Sequence, residues 1–478
     1  MKASVREPLV GKVQPVSTEP LAPFASPQGL DPALEQFLHT ASSRLCHWLG
    51  EAHGRAPLPG LSVLPDVAPE AQGLEASRLL DDLQLVMDGA FQPSHPGALA
   101  HLDPPPLTAS IAADLICAGL NNNLLAEELS PSLTSLERQL SCWFASRLGL
   151  PPTAGGVPAS GGSLSNLNAL VVARHHQGLD HNVDAVVIAS ADAHVSLEKA
   201  VRVMGLRPDA LELIPVDAQG RMQCCVLEQR LEQLRSQQRP CLAVVATAGT
   251  TVRGAIDPLV ELADLCERHK LWLHVDGAIG AVFALANVSR DLLPGLERAA
   301  SITVNPQKLL GITKTSSLLL VADRDVLADA FATGLPYMEP AWGAGHGGEQ
   351  GLQGTRPAEV LKLWLGLRQL GEQGIAALLT DALQRRQRLQ DQLDPCRLSI
   401  RSGALHVVAC CPHGDDASRI ESWSRTTRQH LLDQQLMLSR PLYAGVHHLK
   451  AVLGNPHTQD HHLDQLAEIL NDSVEGFH

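Results

Sequence analysis

Between residues 150 and 325 the chain alternates short β-branched runs with longer amphipathic segments, and few architectures accept that rhythm. The runs are DAVVIAS, CLAVVATAG, LWLHVDG, SITVN and SSLLLVA. Between them lie pieces such as DPLVELADLCERHK, whose apolar residues recur at helical spacing. Runs that are apolar at successive positions belong to strands covered on both faces, as in parallel sheets. The pattern predicts an α/β domain with a mainly parallel sheet and helices on both faces.

The flanks differ in texture. Residues 1 to about 30 are proline-rich and predict an arm, succeeded by a first helix at DPALEQFLHTASSRLCHWL. The last hundred residues return to a mixed pattern, with strands at ALHVVACC and LKAVLGN and a closing helix at HHLDQLAEIL. Three parts are expected: an arm and helical segment over 1–90, a large domain over 91–375, and a small domain over 376–478. GAGHGGEQGLQGT carries six glycines in thirteen residues and predicts a mobile loop.

Composition narrows the function. A chain of 478 residues, 45% hydrophobic and 18% charged, is globular. A net charge of -14 without any Lys/Arg run argues against a nucleic-acid partner. No apolar stretch approaches the length of a membrane span, and the opening MKASVREPLVGKVQPVSTEPLAPF lacks the apolar core of a signal peptide. The ten cysteines show no CxxC and no metal-ligand spacing, so a reduced cytoplasmic protein without a metal is expected.

In open α/β sheets, ligands gather at the carboxyl ends of the strands, so the residues at and just past the end of each run carry the chemistry. PASGGSLSNLNAL is a Gly/Ser turn opening a helix, whose free N–H groups suit a phosphate; as a local feature it reads equally as a capped helix start. DAVVIAS leads to His194, CLAVVATAG contains Thr247, and LWLHVDG contains Asp276, an acid costly to bury without a partner. SITVNPQK ends on Lys308, just past a Pro306 that stops the strand. Taken singly each is ambiguous. Jointly they supply what pyridoxal phosphate requires: a lysine for the Schiff base, a carboxylate for the pyridine nitrogen, a phosphate cradle and a planar group over the ring.

These motifs, with HPGALAHLDPPP, SPSLTSLERQL, TAGTTVRGAIDPL, LQGTRPAEVLKLWL and LKAVLGNP, resemble the group II pyridoxal-phosphate-dependent amino-acid decarboxylases over roughly residues 85–475. That family includes the glutamate, cysteine-sulfinate, 2,4-diaminobutyrate and aromatic-amino-acid enzymes. The resemblance implies the fold-type I (aspartate aminotransferase) large domain with a seven-stranded sheet and a small C-terminal α+β domain. The long helical leader, with apolar faces and little core of its own to cover, predicts a homodimer whose active sites draw on both chains. By resemblance Gly162 and Ser163 hold the phosphate with Asn305 near it, His194 stacks on the ring and Thr247 lies near the ring or its substituents. Asp276 pairs the pyridine nitrogen, Ala278 packs beneath the ring and Lys308 bears the Schiff base. Arg356 and His101 fall on the substrate side, and Tyr337, one of two tyrosines, corresponds to a catalytic-loop proton donor or is an ordinary loop tyrosine.

Gln307 departs from the family, which has histidine before the lysine; an amide hydrogen-bonds but cannot titrate near neutrality. The implied activity is decarboxylation of an L-amino acid to its amine. Another fold-type I enzyme (an aminotransferase, carbon–carbon lyase or aldehyde synthase) and a non-catalytic relative remain the competing readings. Asp103, Glu127 and Glu128 favour a basic substrate side chain if they face the substrate, or merely cap helices.

Overall fold

The computed structural model describes residues 20–335, 342, 345–414 and 416–474. The chain divides into two compact units, residues 1–95 and 96–478. In the first, helices Pro32–Gly50 and Ala76–Asp88 pack together. Asp31 caps the first of them by accepting from the N–H groups of Ala33 and Leu34, which would otherwise go unpaired. The intervening segment exposes Leu61, Val63 and Val67 almost fully.

The second unit is built on seven strands: β1 Gly155–Ala159, β2 Val186–Ser190, β3 Leu211–Ile214, β4 Cys241–Thr247, β5 Trp272–Gly277, β6 Ser301–Val304 and β7 Ser317–Val321. Their order is β1-β7-β6-β5-β4-β2-β3, and only β7 runs against its neighbours. Alternate residues of β4 enter different cores: Val244 and Ala246 face one layer of helices, Ala243 and Val245 the other. Both faces are covered, which is why β4 is apolar at every position from Leu242 to Ala246.

Helix Gly162–His176 carries the chain from β1 at one edge to β2 near the other. It lies across β1, β4, β5, β6 and β7 and aims its N-terminus at the carboxyl ends of the parallel strands. Register aligns those ends, with Thr247 opposite Asp276 and Asp276 opposite Thr303. A second core sits beneath the sheet β8 Leu398–Ser402, β9 Val407–Pro412 and β12 Leu449–Val452, with the short hairpin β10 Leu442–Tyr443 and β11 Val446–His447 beside it. Helix Val360–Gln392, broken at Gly371 (φ 61°), contributes Leu363 and Leu379 to the first core and Leu389 to the second. The expected start of the small domain, residue 376, falls inside this helix.

The glycine-rich segment is packed in part where it is described. His346 and Gly347 are buried, and a Cβ on Gly347 would stand 2.6 Å from the Leu124 carbonyl oxygen. Its glycines serve close packing as well as freedom. Nearby, Arg356 grips Glu137 with both terminal nitrogens, at 2.5 and 2.6 Å, and both residues are buried. Removing one member of such a pair strands a charge in a dry site. Glu137→Ala is expected to cost about 3–5 kcal/mol in urea unfolding, and Glu137→Met combined with Arg356→Met to recover most of it.

Candidate active site

A cavity of about 190 Å³ opens at the carboxyl ends of β2, β4, β5 and β6. Its walls include Gly162, Ser163, His194, Thr247, Asp276, Ala278, Asn305 and Lys308. Eight residues singled out from sequence therefore meet around one space, each supplied by the turn after a strand or by a strand's last residues.

Each wall has a local cause. Gly161 precedes the helix at φ 97°, a conformation that admits few side chains, and this lets the chain turn so that the N–H groups of Gly162 and Ser163 head the helix. A Cβ on Gly162 would come within 2.9 Å of the Asn305 amide. With its amide in the better-bonded orientation, Asn305 accepts from the Gly162 N–H and donates to Ser317 Oγ and the Val304 carbonyl. Pro306 ends β6 and starts a single 3-10 turn, Pro306–Lys308, that brings the lysine over the sheet edge.

Asp276 is 5% exposed, and its partners explain how a carboxylate is tolerated there. Asn166 Nδ2 donates to Oδ2 at 2.8 Å, and the Ala278 N–H donates to Oδ1 at 3.2 Å. Asn166 is in turn held through its oxygen by Thr303 Oγ1 at 2.7 Å and His274 Nε2 at 3.1 Å. His274 reaches Ser301 Oγ, which also accepts from Trp272 Nε1. Burial pushes the His274 imidazolium well below the usual histidine value, so this support is neutral. Asp257 fastens the neighbouring strand end by accepting from the N–H groups of Thr247 and Met222, and burial raises its carboxyl to about 6.

Burial shifts two of the groups that face the cavity. Burial lowers the Lys308 ammonium below the usual lysine value, partly opposed by Asp276 and Asp103. Desolvation likewise lowers the His194 imidazolium, again with Asp276 opposing. His194 Nδ1 accepts from the Ser196 N–H, so the neutral ring carries its proton on Nε2. Thr247 Oγ1 is buried without a protein partner among the described residues.

The remaining expected residues lie elsewhere. His101 and Asp103 share a second, smaller recess with Lys308, and Asp103 pairs with Lys314 at 2.8 Å. Arg356, with its fork filled by Glu137, does not line the cavity. Tyr337 lies outside the described residues. Glu127 is buried against Arg138, and Glu128 is exposed. Sequence reasoning missed Asn166 and Lys450. Asn166 lies one turn into a helix where only the glycines drew attention. Lys450, inside the LKAVLGNP segment, is 6% exposed, and burial together with Lys308 lowers it to about 8.

Comparison with known proteins identifies the family. Residues 60–397 match the family model described as the pyridoxal-dependent decarboxylase conserved domain. The chain is 36% identical over 323 residues to the L-2,4-diaminobutyrate decarboxylase of Rhizobium meliloti (strain 1021), covering 67% of this chain and 65% of that one. It is 32% identical over 281 residues to the aromatic-L-amino-acid decarboxylase of Bacillus atrophaeus, covering 58% of each. Matched segments thus span under two thirds of these two relatives. Among solved structures, mouse CSAD superposes with a TM-score of 0.86 at 23% identity, covering 93% of this chain and 99% of that one. Oryza sativa TDC with PLP and tryptamine gives 0.87 at 21%, covering 95% and 100%, and at such identities the likeness speaks for the fold. With the family model matched over well beyond half its length, the chain belongs to the pyridoxal-dependent decarboxylase family, and its cofactor is pyridoxal 5′-phosphate.

Proposed function

We propose that this protein removes the α-carboxylate of an L-amino acid as carbon dioxide, with the cofactor bound through Lys308 between Asp276 and His194. The observation that carries the reading is the meeting of Lys308, Asp276, His194 and the Gly162–Ser163 helix start on one cavity. The residues suit the cofactor. The orphaned Thr247 hydroxyl offers a polar contact, Ala278 leaves room for a ring, and the helix start offers N–H groups to a phosphate.

When bound, the cofactor supplies an electron sink for the pair left on Cα as the carboxylate departs. Asp276, fixed by Asn166 and the Ala278 N–H, offers a carboxylate to the pyridine nitrogen. The lowered Lys308 raises the share of free amine, the nucleophilic form. His194, its Nε2 proton directed away from Ser196, provides a flat face against the ring. Tyr337 is assigned proton delivery to Cα on its place in the sequence alone.

For the substrate carboxylate, Lys450 has the better claim than Arg356. Its amine makes one long contact, 3.4 Å to the Thr251 carbonyl, and has no carboxylate partner among the described residues. His101 and Asp103, beside Lys308, would border the substrate. A diaminobutyrate, aromatic or sulfinate substrate is compatible with the relatives' names, and the side chain is left to a substrate screen.

A homodimer belongs to the same reading, and an active monomer in sedimentation at micromolar concentration would refute it. It is supported by helix Thr108–Leu120, which exposes Leu115, Ile116 and Leu120 by 47, 54 and 50%. A cytoplasmic setting is supported by ten free cysteines. No helix among the described residues is long and apolar enough to cross a membrane.

Three outcomes are expected. The twenty amino acids, 2,4-diaminobutyrate and cysteine sulfinate are screened for released carbon dioxide; keto-acid without it would sink the decarboxylase reading. Borohydride reduction and peptide mapping should place the cofactor on Lys308, and a label on Lys199, Lys314 or Lys450 instead would overturn the assignment. Lys450 is cationic below about 8 and neutral above, so KM should rise as pH increases through that value, while Lys450→Arg should flatten the rise.

A further inference from the structure

Tyr443, the second of the chain's two tyrosines, does not line the cavity, yet its hydroxyl bears on one of the cavity's walls. The residue lies on β10, in the hairpin beside the small sheet. Its hydroxyl donates to Asp192 Oδ2 at 2.7 Å and accepts from Arg253 Nη1 at 3.3 Å. The single hydroxyl proton settles those directions, because a guanidinium can only donate. The tyrosine oxygen therefore stands between a carboxylate and a guanidinium that attract each other.

The two sides of this spacer are anchored differently. Arg253 is buried, its Nη2 donates to the Ala218 carbonyl at 2.7 Å, and its own carbonyl accepts from the Gly403 N–H. The tyrosine ring meets the buried His448 edge-on, with centroids 5.6 Å apart. Asp192 belongs instead to the turn between β2 and the helix Ser196–Val203, two residues before His194. Burial raises its carboxyl, and the tyrosine and the arginine oppose that rise. Within the turn the Ala193 N–H donates to the Ser190 carbonyl and the Leu197 N–H to the His194 carbonyl. A displacement of Asp192 is thus passed to His194 through one intervening residue.

We infer that Tyr443 is a positioning residue for His194: its hydroxyl, wedged between Asp192 and Arg253, sets where the turn holds the imidazole at the cavity. The inference rests on the placing of His194 against the cofactor ring proposed above. Without the oxygen, Asp192 and Arg253 are drawn together. Because Arg253 is tied to Ala218 and Gly403, the turn is the part that shifts. A tyrosine that only fastened the hairpin would change stability and leave the place of the imidazole alone.

The test is a double-mutant cycle on apo-protein, read as affinity for pyridoxal phosphate in an absorbance titration. Tyr443→Phe keeps the ring against His448 and removes the oxygen. It should weaken cofactor binding about tenfold, and His194→Ala should weaken it at least as much. In the His194→Ala background, Tyr443→Phe should cost less than about twofold, since no imidazole is left to place. Losses that simply multiply overturn the inference, and so does a Tyr443→Phe protein that binds as wild type does. A His194→Ala protein with unchanged affinity would remove the stacking assignment itself, and the inference with it.

Asp192 supplies a second arm should Tyr443→Phe fail to fold. Asp192→Asn retains an oxygen that accepts from the hydroxyl and should stay within about threefold of wild type. Asp192→Ala should lose about tenfold, and only while His194 is present. An asparagine variant as weak as the alanine variant would trace the effect to the charge of the carboxylate and overturn the role of the hydroxyl.

Discussion

A carboxylate at the end of a buried strand is the condition on which this structure turns. Asp276 sits where water is scarce, and a carboxylate without partners there would cost several kcal/mol. The Asn166 amide resolves the conflict by donating to it, and Asn166 can do so because Thr303 and His274 hold the opposite end of that amide. Because the support ends in a neutral histidine and a serine, it orients the acid without supplying a competing charge.

The remaining geometry comes from bringing that acid to a shared edge. A parallel sheet delivers the ends of β4, β5 and β6 side by side, and the helix from β1 crosses the strands to present its N–H groups beside them. Neither feature requires a particular substrate. The frame positions the cofactor cavity; on the reading proposed above, substrate selectivity would fall to the recess of His101 and Asp103 and to the buried Lys450.

The elements legible in the sequence had a simple physical signature. β4 and β5 announced themselves because strands covered on both faces have no polar positions to hide, and Asp276 and Lys308 stood out as polar residues ending such runs. β1 was illegible: Gly155, Gly156 and Pro158 deny it the β-branched look, and Pro158 is tolerated in a strand at the sheet edge. β3, four residues at the opposite edge, is too short to show a period. Asn166 and Lys450 act through distant partners, and one-dimensional spacing holds no record of those meetings. Arg356 shows the converse, since its residue type suited a substrate carboxylate but the fold had already provided Glu137.

The helix Val360–Gln392 has a consequence of its own. Residues from Val360 to Ala382, on both sides of the break at Gly371, line the large core, and Leu389 joins the small one. Loosening either sheet removes apolar cover from part of the helix they share. Unfolding of the shared helix would uncover apolar surface in both cores, and β12, which carries Lys450, packs on the smaller of them.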